Sequence, residues 1–375
     1  MKKIITVSFM MILILSADLI YAQIQISGDA RFRPRMDLDD RSEAGGTNKS
    51  DFYYMYRIRL NLKADIGDGY FLSTKLGHNG IAYYGKMATG LNADVFGAYG
   101  KDYRENGKRM SVDFMELYGG RTTPDFGFKI GLFGVNSFNN IVYDVHYLPS
   151  LMIDIPFFIF NTDALYGASV YFKAGPGKLT LSGYIDDARG FALEDKDGNE
   201  IDNINDQYTF AADYEFSASD WKLQPMVMFT VADSAAAPLT LGANLTAPKL
   251  GNFTLSAGMF YSTSSKTESE INYTEYGMVG NEYSAWKARV KLTGKLGPGT
   301  LTWFGELGAL NNKYEIKPEN NNDFLYSWLS YKFTIYKSDA GEFSIAPQWR
   351  LMKYDNDAGN LRTRNKLEVD FDFKF

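Results

Sequence analysis

The sequence predicts an all-β fold, a 16-stranded antiparallel transmembrane β-barrel with short turns at one end and long loops at the other. Apolar and polar residues alternate with a period of two in sixteen segments, which is typical of strands with two different faces. Short and long connections alternate between these segments. Aromatic residues make up 15% of the chain, with 26 Tyr and 27 Phe. Together these features favour strands that face lipid on one side and water on the other.

The first strand is predicted from the stretch QIQISGDARFRPRMD, residues 23–37. Its even positions are apolar or small, and its odd positions are polar and include Arg31, Arg33 and Arg35. An arginine that faces lipid at mid-bilayer costs ~2–4 kcal/mol, so the arginine face is predicted to line the barrel interior. By the same argument, the polar side chains of all the remaining strands are predicted to face the interior.

Fifteen further strands follow along the chain, most of them with the 9–11 or more residues that a tilted strand needs to cross a bilayer. They are predicted near 52–65, 70–79, 111–121, 126–135, 163–173, 178–186, 206–216, 221–232, 238–247, 252–263, 283–293, 299–310, 323–336, 342–353 and 361–375. The last strand repeats the alternation of the first and ends on Phe375.

Every second connection is a tight turn rich in Gly, Pro, Asp and Ser, such as IGDG after the second strand and GKLGPG after the twelfth. The connections between these turns are mostly much longer, and the two longest are the connectors 80–110 and 136–162. A transmembrane barrel with short periplasmic turns and long external loops has this alternation. A soluble β-sandwich has no reason for it, because both of its ends face water.

The connector 136–162 is too apolar for a solvated loop, since Leu151, Ile155 and Phe158 lie in one dense apolar run. A sixteen-stranded barrel is too wide for strand side chains to fill, so a narrow passage needs a loop inside it. We predict either that this connector folds into the lumen as a constriction or that it packs over the rim. The connector 80–110 is a second candidate for the constriction.

Aromatic residues gather beside the short turns, where the interfacial girdle of a membrane barrel lies. The predicted girdle consists of Tyr70, Tyr118, Phe126, Phe172, Phe216, Trp221, Phe253, Phe333, Phe343 and Phe375.

Residues 1–22 are predicted to be a secretory signal peptide. A positively charged start precedes an apolar run over 4–15, and Ala22 is a small residue at the expected cleavage site. An uncleaved N-terminal membrane anchor is the alternative. The mature domain is then 23–375.

The composition limits the classes of function. The chain has no cysteine and only two histidines, His78 and His146, so nucleophilic triads and histidine-rich metal sites have little material. We predict no enzyme, no catalytic residue, no bound metal and no cofactor. Asp37, Asp39 and Asp40 are predicted to form a solvated charge run. The formal net charge of −6 gives no reason to expect nucleic acid as a partner.

One acidic segment leaves two interpretations open. In EDKDGNEIDNIND, the oxygen-bearing residues Asp195, Asp197, Asn199 and Asp202 resemble a calcium loop. Gly198 comes too early for the spacing of an EF-hand. The segment 194–206 is therefore either a calcium site of another kind or a solvated acidic loop.

Barrel closure makes the last, first and second strands neighbours, which pools cations on one wall. The predicted pore-lining residues there are Arg31, Arg33, Arg35, Arg57, Arg59, Lys63, Arg362, Arg364 and Lys366, and strand 283–293 adds Lys287, Arg289 and Lys291. Either these cations draw anions through the lumen, as rings of Arg and Lys do in anion pores, or they ion-pair with carboxylates and fill the wall. The candidate partner carboxylates Asp29, Glu368, Asp370 and Asp372 are expected nearer the periplasmic end.

The signal peptide, the sixteen strands and the terminal Phe375 together resemble the bacterial outer-membrane porin superfamily across the whole mature chain. The resemblance implies an outer-membrane location, assembly by the barrel-assembly machinery through Phe375, contact with outer-membrane lipid and a homotrimer. It also implies passive diffusion of small hydrophilic solutes, and the cationic wall adds a lean toward anions or acidic sugars.

Two rival functions stay open. SGDARFRPRMD and MELYGGR resemble segments of the alginate-export family, which implies an exporter of an acidic polysaccharide. A structural or adhesive barrel with a plugged lumen is the other rival.

Overall fold

The computed structural model describes residues 23–41, 48–78, 85–87, 112–136, 139–147, 149, 164–187, 193–194, 200–201, 207–232, 237–265, 282–312, 321–356, 359 and 361–375. The predicted signal peptide, most of the connector 80–110, the apolar run of the connector 136–162 and most of the acidic segment 194–206 lie outside these residues.

Strands dominate the described residues, and they are numbered here in chain order. They are β1 (Gln23–Arg41), β2 (Lys49–Gly67), β3 (Tyr70–His78), β4 (Gly85–Met87), β5 (Val112–Thr122), β6 (Phe126–Gly134), β7 (Ala164–Ala174), β8 (Gly177–Asp187), β9 (Leu193–Glu194), β10 (Glu200–Ile201), β11 (Gln207–Ala218), β12 (Trp221–Ala232), β13 (Leu239–Thr246), β14 (Phe253–Ser265), β15 (Glu282–Leu296), β16 (Gly299–Asn312), β17 (Asn322–Ser338), β18 (Gly341–Asn356) and β19 (Leu361–Lys374). Among the described residues there is one helix, α1 (Val142–Tyr147), which lies in the connector after β6. No helix of the described ranges has the length and apolar character needed to cross a membrane.

Sixteen of the strands form one closed antiparallel barrel, as predicted. The short strand β4 adds to the edge of β2, and β9 pairs only with β10 in a small hairpin. The other strands follow each other around the barrel in chain order, and β19 returns to pair with β1. Reciprocal backbone hydrogen bonds between Gly28 and Phe375, at 2.8 and 3.1 Å, continue this closing seam to the end of the chain.

The two faces of the strands differ as the alternation predicts. On β19, Leu367 is 48% exposed on the outer surface, whereas its neighbours Lys366 and Glu368 are buried inside. On β1, Phe32 is exposed while Arg33 is buried. Apolar residues thus contact lipid, and charged residues face the interior, which is the arrangement that a bilayer requires of a barrel.

The first strand is longer than predicted. It extends to Arg41, and β2 begins at Lys49, so the loop between them is short. Asp37 and Asp39 therefore lie within β1 on its inward parity, and Asp37 is buried. The prediction of a solvated charge run is wrong for these two residues, because the antiparallel register places both of them opposite cations of β19.

One predicted girdle residue points the other way. The ring of Tyr118 packs inside the barrel, with its centroid 6.3 Å from that of buried Phe133 and 5.8 Å from that of Phe71. The register of β5 against β3 shifts between Lys75 and Leu76, which marks a β-bulge. A bulge moves every following side chain to the opposite face, so strict alternation mispredicts this residue.

Candidate functional site in the barrel interior

The interior has a charged wall at the closing seam, here called the seam wall, formed by the inward faces of β18, β19, β1 and β2. The register of β1 against β19 sets unlike charges opposite each other: Arg31 faces Asp372, Arg35 faces Glu368, Asp37 faces Lys366 and Asp39 faces Arg364. Opposite charges on directly paired residues stabilise a sheet. The order of charges along the first and last strands is therefore complementary.

The centre of the seam wall is a buried guanidinium–carboxylate pair. Arg33 donates two hydrogen bonds to Asp370, one of them from Nη2 to Oδ2 at 2.8 Å. Their side chains are only 4% and 3% exposed. Gln348 of β18 donates a further hydrogen bond to the same carboxylate at 2.5 Å. Bidentate pairs of this kind fix geometry as well as adding energy.

The neighbouring carboxylate, Glu368, is shared by three arginines, since Nε of Arg33 also lies 3.6 Å from its Oε2. Arg35 donates from Nε to Oε2 at 2.6 Å, and Nη2 of Arg350 lies 2.6 Å from Oε1. The Arg350 guanidinium also lies over the ring of Trp328, 5.0 Å from its centroid. Arg350 is a wall residue that the sequence reasoning missed, although it lies on the charged parity of its strand.

Toward the long-loop end the charges exchange strands, so that the carboxylates lie on β1 and the arginines on β19. Arg364 donates two hydrogen bonds to Asp37, one at 2.7 Å, and Arg362 donates two to Asp39 at 2.8 and 2.7 Å. Carboxylates thus lie at both ends of the seam wall. The extension of β1 adds Asp37 and Asp39 at the long-loop end to the four candidate partner carboxylates named from the sequence.

The second strand adds the remaining predicted cations of this wall. Arg57 and Arg59 both donate to Asp29, at 2.9 and 2.8 Å. The ammonium of Lys63 lies over the ring of Phe71, 5.4 Å from its centroid. Of the two interpretations left open by the sequence, the structure favours ion pairing for most of these cations.

The three predicted cations of β15 lie on a different part of the interior. Lys287 is fully buried, with its ammonium 5.3 Å from the ring centroid of Phe324. Arg289 donates to Glu306 at 2.7 Å and also to Asp144 of helix α1. These buried positions make Arg289 a link between the barrel and the connector.

The described part of the connector, residues 139–147, crosses the interior. It leaves the barrel after β6, and α1 contacts β12, β13, β14 and β15 on the far side. Lys291 donates to Asn139 Oδ1 at 2.7 Å, and Asn244 donates to Asn140 Oδ1 at 3.0 Å. We call the inward faces of β11–β15 the connector wall, because this segment is fastened to it.

Hydroxyl groups hold the C-terminal end of the described segment 139–147. The two ring nitrogens of His146 lie 2.9 Å from Thr240 Oγ1 and 2.8 Å from Thr230 Oγ1. Tyr147 donates to Asp186 at 2.9 Å. The two threonine partners of His146 carried no signal in the sequence beyond their inward parity.

An apolar cluster lies beneath the same segment. Ile141, Val142 and Val145 are buried against Phe133, Leu165, Tyr184, Met226, Met228 and Phe260. These contacts remove apolar surface of the connector from water, at roughly 25 cal/mol per Å². Apolar burial and hydrogen bonds together hold residues 139–147 inside the barrel.

Burial shifts the pKa values of Asp144 and His146, two of the ionisable groups of α1, in opposite directions. It lowers the pKa of His146 to about 3, and it raises the pKa of Asp144 to about 6 against the charge of Arg289. At neutral pH the histidine is therefore neutral and the aspartate is ionised. This combination suits a ring between two hydroxyls and a carboxylate beside a guanidinium.

Comparison with known proteins rests on structure. No family model and no curated protein matches the sequence. An anion-selective porin from Comamonas acidovorans is similar over 94% of this chain and 99% of its own, with a TM-score of 0.57 and 10% identity. The outer membrane channel DcaP of Acinetobacter baumannii is similar over 94% and 97%, with a TM-score of 0.57 and 14% identity.

A third solved structure adds to the picture. The outer membrane protein OmpT of Vibrio cholerae, in a trimer form, is similar over 94% of this chain and 99% of its own, with a TM-score of 0.52 and 10% identity. The chain has the fold of an outer-membrane porin. This fold agrees with the closed barrel of two-faced strands that the sequence predicts. At these identities the likeness extends to the fold and does not identify a solute.

Proposed function

We propose that this porin-fold chain is a passive, water-filled channel of the bacterial outer membrane that small hydrophilic solutes cross down their gradient. The observation that carries the proposal is the closed barrel itself, with charged groups inside and apolar groups outside. Such an interior holds water and ions, and the likeness to solved porins supports the same function. No covalent chemistry is needed, so the proposal is a channel and not an enzyme.

We also propose that the channel prefers anions or acidic sugars. The nine predicted cations of the seam wall outnumber the six carboxylates of β1 and β19 that they meet. The most accessible guanidiniums are those of Arg31, Arg59 and Arg362, with side chains 23%, 25% and 29% exposed. We propose that these groups meet the solutes, while the buried pairs behind them position the wall.

The connector supplies the constriction in this proposal. It crosses from β6 to the connector wall, so the open passage lies between it and the seam wall. Lys291 stays among the proposed pore-lining residues. Lys287 and Arg289 act through the connector that they support.

The alginate-export rival finds less support. A polymer exporter for an acidic polysaccharide needs a continuous cationic path. On the seam wall, carboxylates interrupt the cations at Asp29, at Glu368 and Asp370, and at Asp37. Small solutes that touch one or two cations at a time fit this pattern better.

The partners belong to the same proposal. Outer-membrane lipid contacts the outward apolar residues, and the barrel-assembly machinery recognises the terminal strand through Phe375. We propose a homotrimer, which is supported by the trimer form of the similar Vibrio cholerae protein.

Planar-bilayer conductance with reversal potentials in a KCl gradient tests the channel and its selectivity. We expect well-resolved conductance steps and an anion-selective reversal potential. The double variant Arg31→Gln/Arg59→Gln should shift the reversal potential toward cation selectivity, because it removes accessible positive charge. The matched control Lys173→Gln removes a cation whose side chain is 68% exposed beside a short turn, and it should leave selectivity unchanged.

Two results would contradict the proposal in different ways. Cation selectivity of the native chain would overturn the lean toward anions and leave the channel standing. Folded protein that conducts nothing would favour the plugged structural barrel.

A further inference from the structure

A polar cavity lies beside the connector, away from the seam wall. Its volume is about 380 Å³. It is lined by the connector and by β11–β16, including Asn136, Asn139, Asn140, Gln224, Asn244 and Lys291. Lys222 and Glu215 border it beside the short turn between β11 and β12. Small-molecule sites usually have a volume of a few hundred Å³ with a small number of placed polar groups.

The polar groups of the cavity are held in place by their neighbours. Asn139 donates to Asn136 at 3.2 Å and accepts from Lys291, while Asn140 accepts from Asn244. Gln224 donates to Asp213 at 2.9 Å. A carboxamide has two N–H donors and an oxygen with two lone pairs, so each can serve a solute in addition to its neighbour. The hydroxyls of Thr246, Thr254 and Ser256 line the same space.

The charges of the lining favour an acidic solute. Two ammonium groups, those of Lys222 and Lys291, border the cavity together with one carboxylate, Glu215, which lies 2.7 Å from Lys222. Arg289 also lines it, but Asp144 and Glu306 hold its guanidinium. The positive charges of the lining therefore exceed the negative ones.

The lining disfavours flat aromatic solutes. Phe304 is fully buried, its ring is stacked on that of Trp328, and the ammonium of Lys291 lies 5.2 Å from its centroid. Its faces are thus occupied by protein groups. What the cavity offers is a set of amides and hydroxyls next to two ammonium groups.

We propose that this cavity binds small hydroxylated carboxylates, that is, hydroxy acids or sugar acids. The carboxylate pairs with Lys222 and Lys291, and the hydroxyl groups bond to the asparagine amides and to the threonine and serine hydroxyls. The inference rests on the proposed channel function and names the solute class of one site inside the barrel, on the connector wall.

Isothermal titration calorimetry on the detergent-solubilised full chain tests this, with gluconate as the probe. Hexanoate keeps the carboxylate without hydroxyl groups, and glucose keeps the hydroxyl groups without the charge. We expect gluconate to bind at least about tenfold more tightly than either, because each lacks one half of the recognition (a tenfold ratio corresponds to about 1.4 kcal/mol). Equal binding of hexanoate or glucose would overturn the proposal.

Two variants at the edge of the cavity give opposite expectations. Lys222→Gln removes a cation and should weaken gluconate binding severalfold, whereas Glu215→Gln removes a carboxylate and should strengthen it. Their side chains are 46% and 30% exposed, so both variants are expected to fold. Lys173→Gln, outside the cavity, is the control and should bind gluconate like the native chain. The same change in affinity for both variants would contradict the proposed site.

Conductance in KCl, measured on the same preparations, separates this inference from the proposed function. A conducting channel that fails to bind gluconate overturns the cavity and leaves the channel. Gluconate binding with the expected variant effects in a barrel that conducts nothing supports the cavity and overturns the channel.

Discussion

The seam wall and the connector wall are held together by different kinds of contact. The seam wall is built from guanidinium–carboxylate pairs between strands that are far apart in sequence, such as Arg33 and Asp370. The connector wall holds the connector mainly through hydroxyls, amides and apolar contacts, such as His146 between Thr230 and Thr240, with Arg289 and Asp144 as an ion pair between them. Bidentate charged pairs demand one geometry, whereas hydroxyl groups rotate to suit their partners.

The comparison suggests why each chemistry lies where it does. The strand β19 must find β1 in one register, because a slip of β19 by one residue would turn its own inward charges toward lipid. Ordered complementary charges penalise such a slip. The connector lies on strands that already pair with one another through their own backbones, so adaptable hydrogen bonds and apolar burial are sufficient to hold it there.

Breaking the seam should have the largest effect. Asp370→Ala leaves Arg33 buried without its bidentate partner, and removing one member of a buried pair typically costs ~3–5 kcal/mol. The measurement is urea unfolding of the refolded barrel in detergent, followed by tryptophan fluorescence. The charge exchange Arg33→Asp/Asp370→Arg should recover part of the loss, and no recovery would show that the pairing is not what stabilises the seam.

Blocking the connector comes next. An ideal Cβ at Gly258 would lie 3.2 Å from Ile141 Cγ2 and 2.3 Å from Asn244 Oδ1, so Gly258→Val crowds the place where the connector lies. Overpacking of this kind costs ~1–3 kcal/mol, and we expect the connector to move away and single-channel conductance to rise. Ala257→Val, on the outward face of the same strand, is the control. Equal conductance in both variants would contradict the proposed constriction.

How strongly the connector is held on the connector wall should depend on pH, which tests the role of the hydrogen bonds of His146. The connector is called docked when residues 139–147 lie on the connector wall. Because the docked state lowers the pKa of His146, a fall in pH from about 6.5, the unperturbed value, to about 3 favours release of the connector from that wall. The raised pKa of Asp144 means that acid favours docking between about 6 and 3.8. The two effects oppose each other from pH ~6 to ~4, where we expect little change, and docking should weaken below pH ~3.8.

The variant His146→Gln separates these two contributions. Only the effect of Asp144 remains in it, so docking should strengthen as the pH falls from about 6 to 4. Single-channel conductance across that range reports the docking, and it should fall in the variant while the native chain stays nearly constant. Identical profiles in the two proteins would exclude His146 as the acid-sensitive anchor.

A partly exposed ion pair, Lys332 and Glu342, should contribute much less to stability than the buried pairs of the seam wall. Nζ of Lys332 lies 2.5 Å from Oε1 of Glu342, with side chains 33% and 20% exposed near the short turn of β17 and β18. Pairs in contact with solvent contribute ~0–1 kcal/mol, so Glu342→Ala should shift the urea midpoint far less than Asp370→Ala. A loss as large as that of Asp370→Ala would remove the distinction between the two kinds of pair.

The sequence by itself determined the sixteen strands, their alternating faces and the closure of the last strand on the first. Each of these follows from local period and from the cost of charge in lipid, which act on single strands. Tertiary structure decided which charges meet: it placed Asp37 opposite Lys366, turned Tyr118 inward after a bulge, and brought Asp144 to Arg289. Those outcomes depend on register, bulges and the path of a connector, which are properties of pairs of distant segments that no local pattern encodes.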